Sequence, residues 1–385
     1  MTETEVQLSD MYSRSLWLRF LYDRLGRRLT VPGACLLWAA ASAGLFFVVS
    51  WRQGTLLVDR TPGRLSLLED TTALAYYLLL PLCFLLLYYS LRLFRRYLNR
   101  LEEVLEPGCM PDARNQLIAI AKESFEAGAM KTVRRILVAI GLLIFVYNAV
   151  ANLYPGTFYG RPGKWDGIAH PVSYVLARLY ILFVWGYAIP TWAAEVYLQL
   201  SVMVRISRTM AAAGWVKVSP YALDQFGGLG RLAEAASWVG YLILAAGVFF
   251  LAPLLRAVLW GHQLHIGNYI GFGVYVLLAT AGVLLPMFLL HRLLTQKRED
   301  MLRFLSRAFD EINARVGVLV KENDIQALGD EGLGRALETV DRLRAQWAAL
   351  PNWPLGLAVV VRYLVMVVPP AVVFIMQQFF TEGAP

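Results

Sequence analysis

The sequence predicts an all-α integral membrane bundle of about seven transmembrane helices, with the amino end inside, the carboxyl end outside and helical extensions on the inner face. Three observations predict it. Apolar residues make up 58% of the chain and charged residues only 17%, where a soluble chain carries roughly a quarter charged. The apolar residues arrive in blocks of about twenty, the length that crosses a hydrocarbon core, and the mean hydropathy is +0.51. Basic residues are also sorted: with the amino end inside, most of the 36 Lys and Arg fall on inner segments and few on outer loops, as the positive-inside bias requires. His291–Pro354, the longest charged interval, carries ten of them and is assigned to the inner face.

The chain divides into four parts. Residues 1–30 form a cytoplasmic amphipathic segment, 31–290 a six-span bundle, 291–354 a cytoplasmic helical hairpin, and 355–385 a final span with a short outer tail. Residues 11–29 read as one basic helix with Tyr12, Leu16, Phe20 and Leu21 on one side and Arg14, Arg19, Arg24, Arg27 and Arg28 around the rest. Such a helix lies at the headgroup level or docks on the inner face of its own bundle. Span 1 is Val31–Trp51. Span 2 is Thr71–Leu91, with a kink expected at Pro81. Pro111-Asp112 marks a helix start, so residues 113–135 extend span 3 (Ile136–Leu153) inward. Span 4 keeps helical character from Val172 to about Thr209. At 1.5 Å per residue that is about 57 Å, nearly twice the hydrocarbon thickness, so it tilts, bends at Pro190 or protrudes inward, and protrusion is preferred.

Span 5 is Ser237–Leu255 and span 6 Tyr269–Leu290. Beyond span 6, Leu302, Leu305, Phe309, Ile312, Val316 and Leu319 alternate three and four apart, a packing seam at heptad spacing. A polar turn at Lys321–Gly332 leads to a second helix with Leu333, Leu337, Val340, Leu343, Trp347 and Leu350 on one side. Pro351 and Pro354 break it, and span 7 runs from Leu355 towards Phe380, either crossing or re-entrant because of Pro369-Pro370.

Ionisable and polar groups at membrane depth are the candidates for chemistry. Arg178 lies six residues into span 4 and Arg362 in span 7; both are shallow enough to snorkel. Asn148 and Asn152 are four apart on span 3, so they share a face and can converge with Arg178 in an outward cavity. Glu195, near the inner end of span 4, is a partner for Arg362. The loop Asp224–Gly230 offers Gly227, Gly228 and Gly230 ahead of a helix, a geometry that can receive an anion. A tight turn capped by Asp224 is the plainer reading, and no nucleotide-binding pattern completes it. His262 and His265 have metal-compatible spacing but no third ligand, so no metal site is expected. Cys35, Cys83 and Cys109 make no disulfide framework. Catalytic signatures are missing, no cofactor is implied, and an enzyme is not expected.

Asp224-Gln-Phe-Gly-Gly-Leu-Gly230 before span 5 and Pro351-Asn-Trp-Pro354 before span 7 resemble motifs of a group of uncharacterised bacterial multi-pass membrane proteins with a D-x-x-G-G-L loop and a P-x-W-P break. The chain departs from that pattern in having no His before Pro220. The resemblance implies a multi-pass protein of the bacterial inner membrane and no particular function. The seven-span order with inner extensions also resembles the layout of insect chemoreceptor-type channels, in architecture alone. The functional expectation is a homo-oligomeric channel or channel-like receptor, whose cytoplasmic seam joins subunits or closes a hairpin within one. The alternatives are a sensor or scaffold recruiting a soluble partner at 297–350, and a secondary transporter. The bilayer is the expected partner, and the basic charge is an insertion signal rather than a nucleic-acid footprint.

Overall fold

The computed structural model describes residues 6–57, 64–126, 128–153, 163–222, 227–247, 249, 251–253, 255–256, 266–321 and 331–350. Span 7, with Arg362, lies outside the described residues, as do Asp224, His262 and His265. The described chain is helical apart from one small ladder. Among the described residues five helices are long and apolar enough to cross a membrane: Val31–Arg52, Thr71–Asn99, Asp112–Val150, Pro171–Ala213 and Phe272–Lys321. They correspond to the expected spans 1, 2, 3, 4 and 6. Large apolar side chains such as Leu36, Leu143, Leu179 and Leu277 stand exposed along them, the pattern of helices whose outer surface meets lipid rather than water.

The amino-terminal segment is not the single helix its composition suggests. It runs as α1 (Leu8–Tyr12), α2 (Leu16–Leu18), a π-helical turn at Arg19–Leu25 and α3 (Gly26–Leu29). The wider π turn changes the residue period, and the expected apolar side splits: Tyr12 and Leu21 are buried while Leu16 and Phe20 are exposed. Thr30, at φ 64°, breaks the helix, and its hydroxyl accepts from the Gly33 N–H to start α4 (Val31–Arg52). The 22 residues of α4 give about 33 Å, enough to span.

Two further π turns sit inside spans, each ending two residues ahead of a proline. Ala75–Leu79 joins α5 (Thr71–Leu74) to α6 (Leu80–Asn99) before Pro81. The Leu80 N–H reaches back to Ala75 O, and proline has no N–H, so the Tyr76 and Tyr77 carbonyls lose their usual donors. Neighbouring helices supply replacements: Tyr180 Oη donates to Tyr76 O at 3.0 Å and Ser42 Oγ to Tyr77 O at 3.0 Å. Within a bilayer such repair from neighbours is what makes an interrupted helix tolerable.

The second turn, Val184–Ala188, lies between α9 (Pro171–Phe183) and α10 (Ile189–Ala213) before Pro190. Here a Cβ on Gly141 of α8 (Gly128–Leu153) would overlap the Trp185 carbonyl oxygen. Only glycine admits that approach. The α9–α10 helix continues past Pro190 until Gly214 caps it at φ 68°. Its inner turns pack on α7 (Met110–Glu126).

The α9–α10 helix is the hub, touching α4, α6, α7, α8, α11 (Gly230–Ala245) and α12 (Ile266–Lys321). One apolar core joins Phe84, Leu87 and Leu91 of α6 to Val202 and Ile206 of α10 and Leu290 of α12. The expected span 5 is not reproduced as a single helix. The helix starts at Gly230 and α11 ends after 16 residues at Ala245, about 24 Å, because the chain turns at Ala246-Gly247.

At the end of the bundle that the sequence assigns to the inner face, α12 continues without a break into the charged stretch and pairs with α13 (Glu331–Ala349). All six residues of the expected seam on α12 are buried or half-buried, as are Leu337, Val340, Leu343, Trp347 and Leu350 opposite. Arg298 closes the pair with a 2.6 Å hydrogen bond to Ala348 O. The seam thus closes a hairpin within one chain. At the end that the sequence assigns to the outer face, a two-residue parallel ladder, β1 (Arg64–Leu65) on β2 (Gly163–Lys164), joins the loops preceding the expected spans 2 and 4. Periodicity gives no sign of so short a pairing.

Candidate functional site

Two polar clusters sit on the hub helix, organised by Arg178 and Glu195. Seventeen residues separate them, about 25 Å along the axis.

The outer cluster is built from the ends of four segments. The β1–β2 ladder brings Lys164, Trp165 and Asp166 over the start of α5. Asp70 caps that helix, its carboxylate accepting from the Ala73 N–H at 3.2 Å. Asp166 receives Arg178 Nη2 at 2.6 Å and Lys164 Nζ at 2.9 Å. Asp70 receives Arg256 Nη1 at 3.4 Å and the Trp165 indole N–H at 3.2 Å. Glu69 accepts from the Ser66 N–H at 2.9 Å. All six ionisable groups are buried, three acidic and three basic, so the cluster carries no net formal charge. Phe46, Tyr77 and Trp165 close it from below, with Phe46 stacked on Tyr77 at 4.2 Å. Burial by itself would raise the Asp70 carboxyl, but Lys164, Arg256 and the donors from Trp165 and Ala73 outweigh it and hold it below the usual carboxylate range. This arrangement ties four chain segments together: each of the three cations meets a buried carboxylate, while Glu69 is held by Ser66.

The inner cluster differs in kind. Glu195, Thr191 and Gln199 lie four apart on α10 and share a face; all three are buried. Ser90 Oγ of α6 donates to Gln199 Oε1 at 2.7 Å. Arg134, at the inner end of the apolar part of α8, donates to Thr191 Oγ1 at 3.2 Å and to Arg14 O at 3.2 Å, and its guanidinium lies 5.5 Å from the Tyr187 ring centroid. Its charge acts on Glu195 without forming a contact ion pair. Glu195 Oε2 and Gln199 Nε2 have no hydrogen-bond partner among the described residues. A buried carboxylate with an open oxygen, beside a cation and three uncharged polar groups, is equipped to hold a proton or a small cation.

Of the residues singled out by sequence, Arg178 and Glu195 are the anchors of these two clusters. Arg178 is held by Asp166 and lies 5.3 Å from the Tyr174 ring. It is buried rather than snorkelling. Asn148 Nδ2 donates within its own helix to Ile144 O at 2.9 Å; the Asn152 side chain is outside the described residues. The cation acting on Glu195 is Arg134, a residue that sequence reading left among the inner-loop positives. Gly227 and Gly228 adopt φ 65° and 96°, and Ser219 N–H donates to Gly227 O at 2.9 Å. A Cβ on Gly227 would meet Val218 Cγ1 at 2.7 Å, so a tight turn is what these residues form, and Gly230 opens α11.

Asp70, Lys164, Asp166 and Arg256 were missed because loop residues carry no periodicity. One signal was legible: Asp70 directly before an apolar run is a helix amino-terminal cap. Among the described residues no group of three or more His, Cys, Asp or Glu is placed to hold a metal ion. No family model matches this sequence, and neither the curated proteins nor the solved structures contain a match.

Proposed function

We infer that this protein is a channel-like membrane protein in which Glu195 handles a proton or small cation crossing the inner half of the bundle. Five long apolar helices are compatible with a multi-pass membrane protein. The observation that carries the finer reading is the open Glu195 Oε2, buried at span depth beside Arg134, Thr191 and Gln199. An ionisable group in that position is costly to keep, and such groups line ion and proton pathways. The outer cluster supports the other half of the reading: each of its cations is paired with a carboxylate, so it holds the outer ends of the helices in place rather than carrying an ion. A subunit joint no longer follows from the cytoplasmic seam, and the homo-oligomeric form of the proposal rests on a symmetric assembly being found in detergent or lipid.

Purified protein in liposomes tests the reading. Proton or monovalent-cation flux is expected in the wild type and a drop of at least about tenfold in Glu195→Gln, which removes the charge and keeps the shape. Equal flux in both proteins would refute it. A second reading, a scaffold that recruits a soluble partner through α12–α13, is favoured by the exposed Phe304, Val318 and Val320 on that hairpin. It predicts no flux and loss of a bound partner when 297–350 is deleted with the spans still folded.

A further inference from the structure

The amino-terminal segment leaves a concavity of about 960 Å³ on the surface of the bundle, at the upper end of the volumes that hold small ligands. Four arginines line it: Arg19, Arg24, Arg27 and Arg28. The π turn at Arg19–Leu25 brings this about, since a five-residue step stacks Arg24 over Arg19 and a further four-residue step adds Arg28. All four are exposed, and none forms an ion pair among the described residues. The single acid in the lining, Asp23, accepts the Tyr12 hydroxyl at 2.7 Å.

The other wall is apolar. Leu16, 68% exposed, and Phe20, 41% exposed, face outward. Their depth can be placed through Trp17, whose ring packs edge-on against Trp38 at 5.0 Å. Trp38 is seven residues into α4, about 10 Å along a helix that crosses hydrocarbon. Leu16 and Phe20 therefore lie beside the apolar part of the first span, while Arg27 and Arg28 lie just before its first residue, Val31. The backbone is held there by Tyr22 Oη donating to Phe84 O at 2.6 Å and by Tyr187 Oη accepting from the Trp17 N–H at 3.2 Å.

Cations at the level where a span begins, with an apolar wall at acyl depth, match one chemistry. We propose that this concavity binds an anionic phospholipid of the leaflet entered by the amino end of α4, its phosphate between the arginines and its acyl chains along Leu16 and Phe20. The bound lipid neutralises a positive cluster whose arginines form no ion pair among the described residues and fixes the amino-terminal segment against the bundle. This stands or falls independently of ion handling at Glu195.

The full-length protein in a non-ionic detergent, titrated with phosphatidylglycerol and read by native mass spectrometry, tests the proposal. Saturable binding is expected, with phosphatidylcholine at least about tenfold weaker. At about a factor of five per arginine, R19Q/R24Q/R28Q should weaken phosphatidylglycerol about a hundredfold. The control K131Q/K321Q/R342Q, which removes the same charge from exposed sites elsewhere, should not change it. If the triple variant does not fold, Arg24→Gln by itself should cost about fivefold. Equal loss in the control, equal binding of phosphatidylcholine, or displacement of the lipid by millimolar inorganic phosphate would each overturn the proposal.

Discussion

The two ends of the hub helix handle buried charge in opposite ways. At the outer end Asp166 takes Lys164 and Arg178, Asp70 takes Arg256, and these pairs close at hydrogen-bonding distances. At the inner end Glu195 keeps one oxygen open and has its cation at a remove. A buried charge costs several kcal/mol to desolvate, and a well-made pair repays that cost only if its partners stay in place. The outer cluster is thus a device for fixing geometry, dependent on every member. The inner one leaves a buried carboxyl oxygen without a partner among the described residues. Burial alone does not distinguish the two clusters; the state of the partners does.

The sharpest way to break that comparison is to remove one outer charge. Asp166→Asn leaves Arg178 and Lys164 short of an anion in a dry site, and a loss of about 3–5 kcal/mol is expected in chemical unfolding followed in detergent. Glu195→Gln, the variant used for flux, should leave stability within about 1 kcal/mol of wild type or raise it, since it replaces a buried carboxyl that lacks a contact partner by a neutral group of the same shape. If the two substitutions cost the same, the clusters do not differ in the way described.

A smaller effect sharpens the comparison from between the clusters. Gly141 sets the approach of α8 to the π turn, and α8 carries Arg134 towards Glu195. Gly141→Ala should cost about 1–3 kcal/mol by overpacking against the Trp185 carbonyl and also lower flux, with melting temperature and liposome assays read on the same sample. A melting temperature unchanged by the alanine would mean the helices have room to part.

The smallest expected effect is the acid response of the outer cluster. Asp70 has its folded pKa lowered, so its contribution is fully present above its unfolded value of about 4 and is lost as pH falls through the lower folded value. Thermal melts should be flat with respect to this group from neutral pH down to about 4 and fall below that. Asp70→Asn should remove that acid-dependent part while lowering the plateau. A decline already complete at pH 5 would assign the acid sensitivity elsewhere.

Much of the fold was legible in the chain. The spans at Val31–Arg52, Thr71–Asn99 and Pro171–Ala213 follow from length and hydropathy, because lipid tolerates few charges over twenty residues. The hairpin seam was legible at every position whose side chain is described, since heptad spacing fixes one helical face; the Leu333 side chain lies outside them. The prolines at 81 and 190 announced irregularity. Their consequence, a π turn whose carbonyls are met by Ser42 and Tyr180 or approached by Gly141, depends on helices far away in sequence. The amino-terminal segment was misread as one helix because regular periodicity was assumed through a stretch where the turn widens.

The site was legible by depth rather than by partner. Arg178 and Glu195 stand out as ionisable groups inside apolar helices, which one dimension is enough to show. That Arg178 answers to Asp166, twelve residues before it across a loop, and Glu195 to Arg134, on another helix, is set by packing. By itself, the sequence determined which segments belong in lipid and which side chains would be expensive there, because transfer free energies act residue by residue. Only the tertiary structure decided which of those expenses are met by a partner and which are left standing, because pairing depends on distances that helix packing and loop closure alone create.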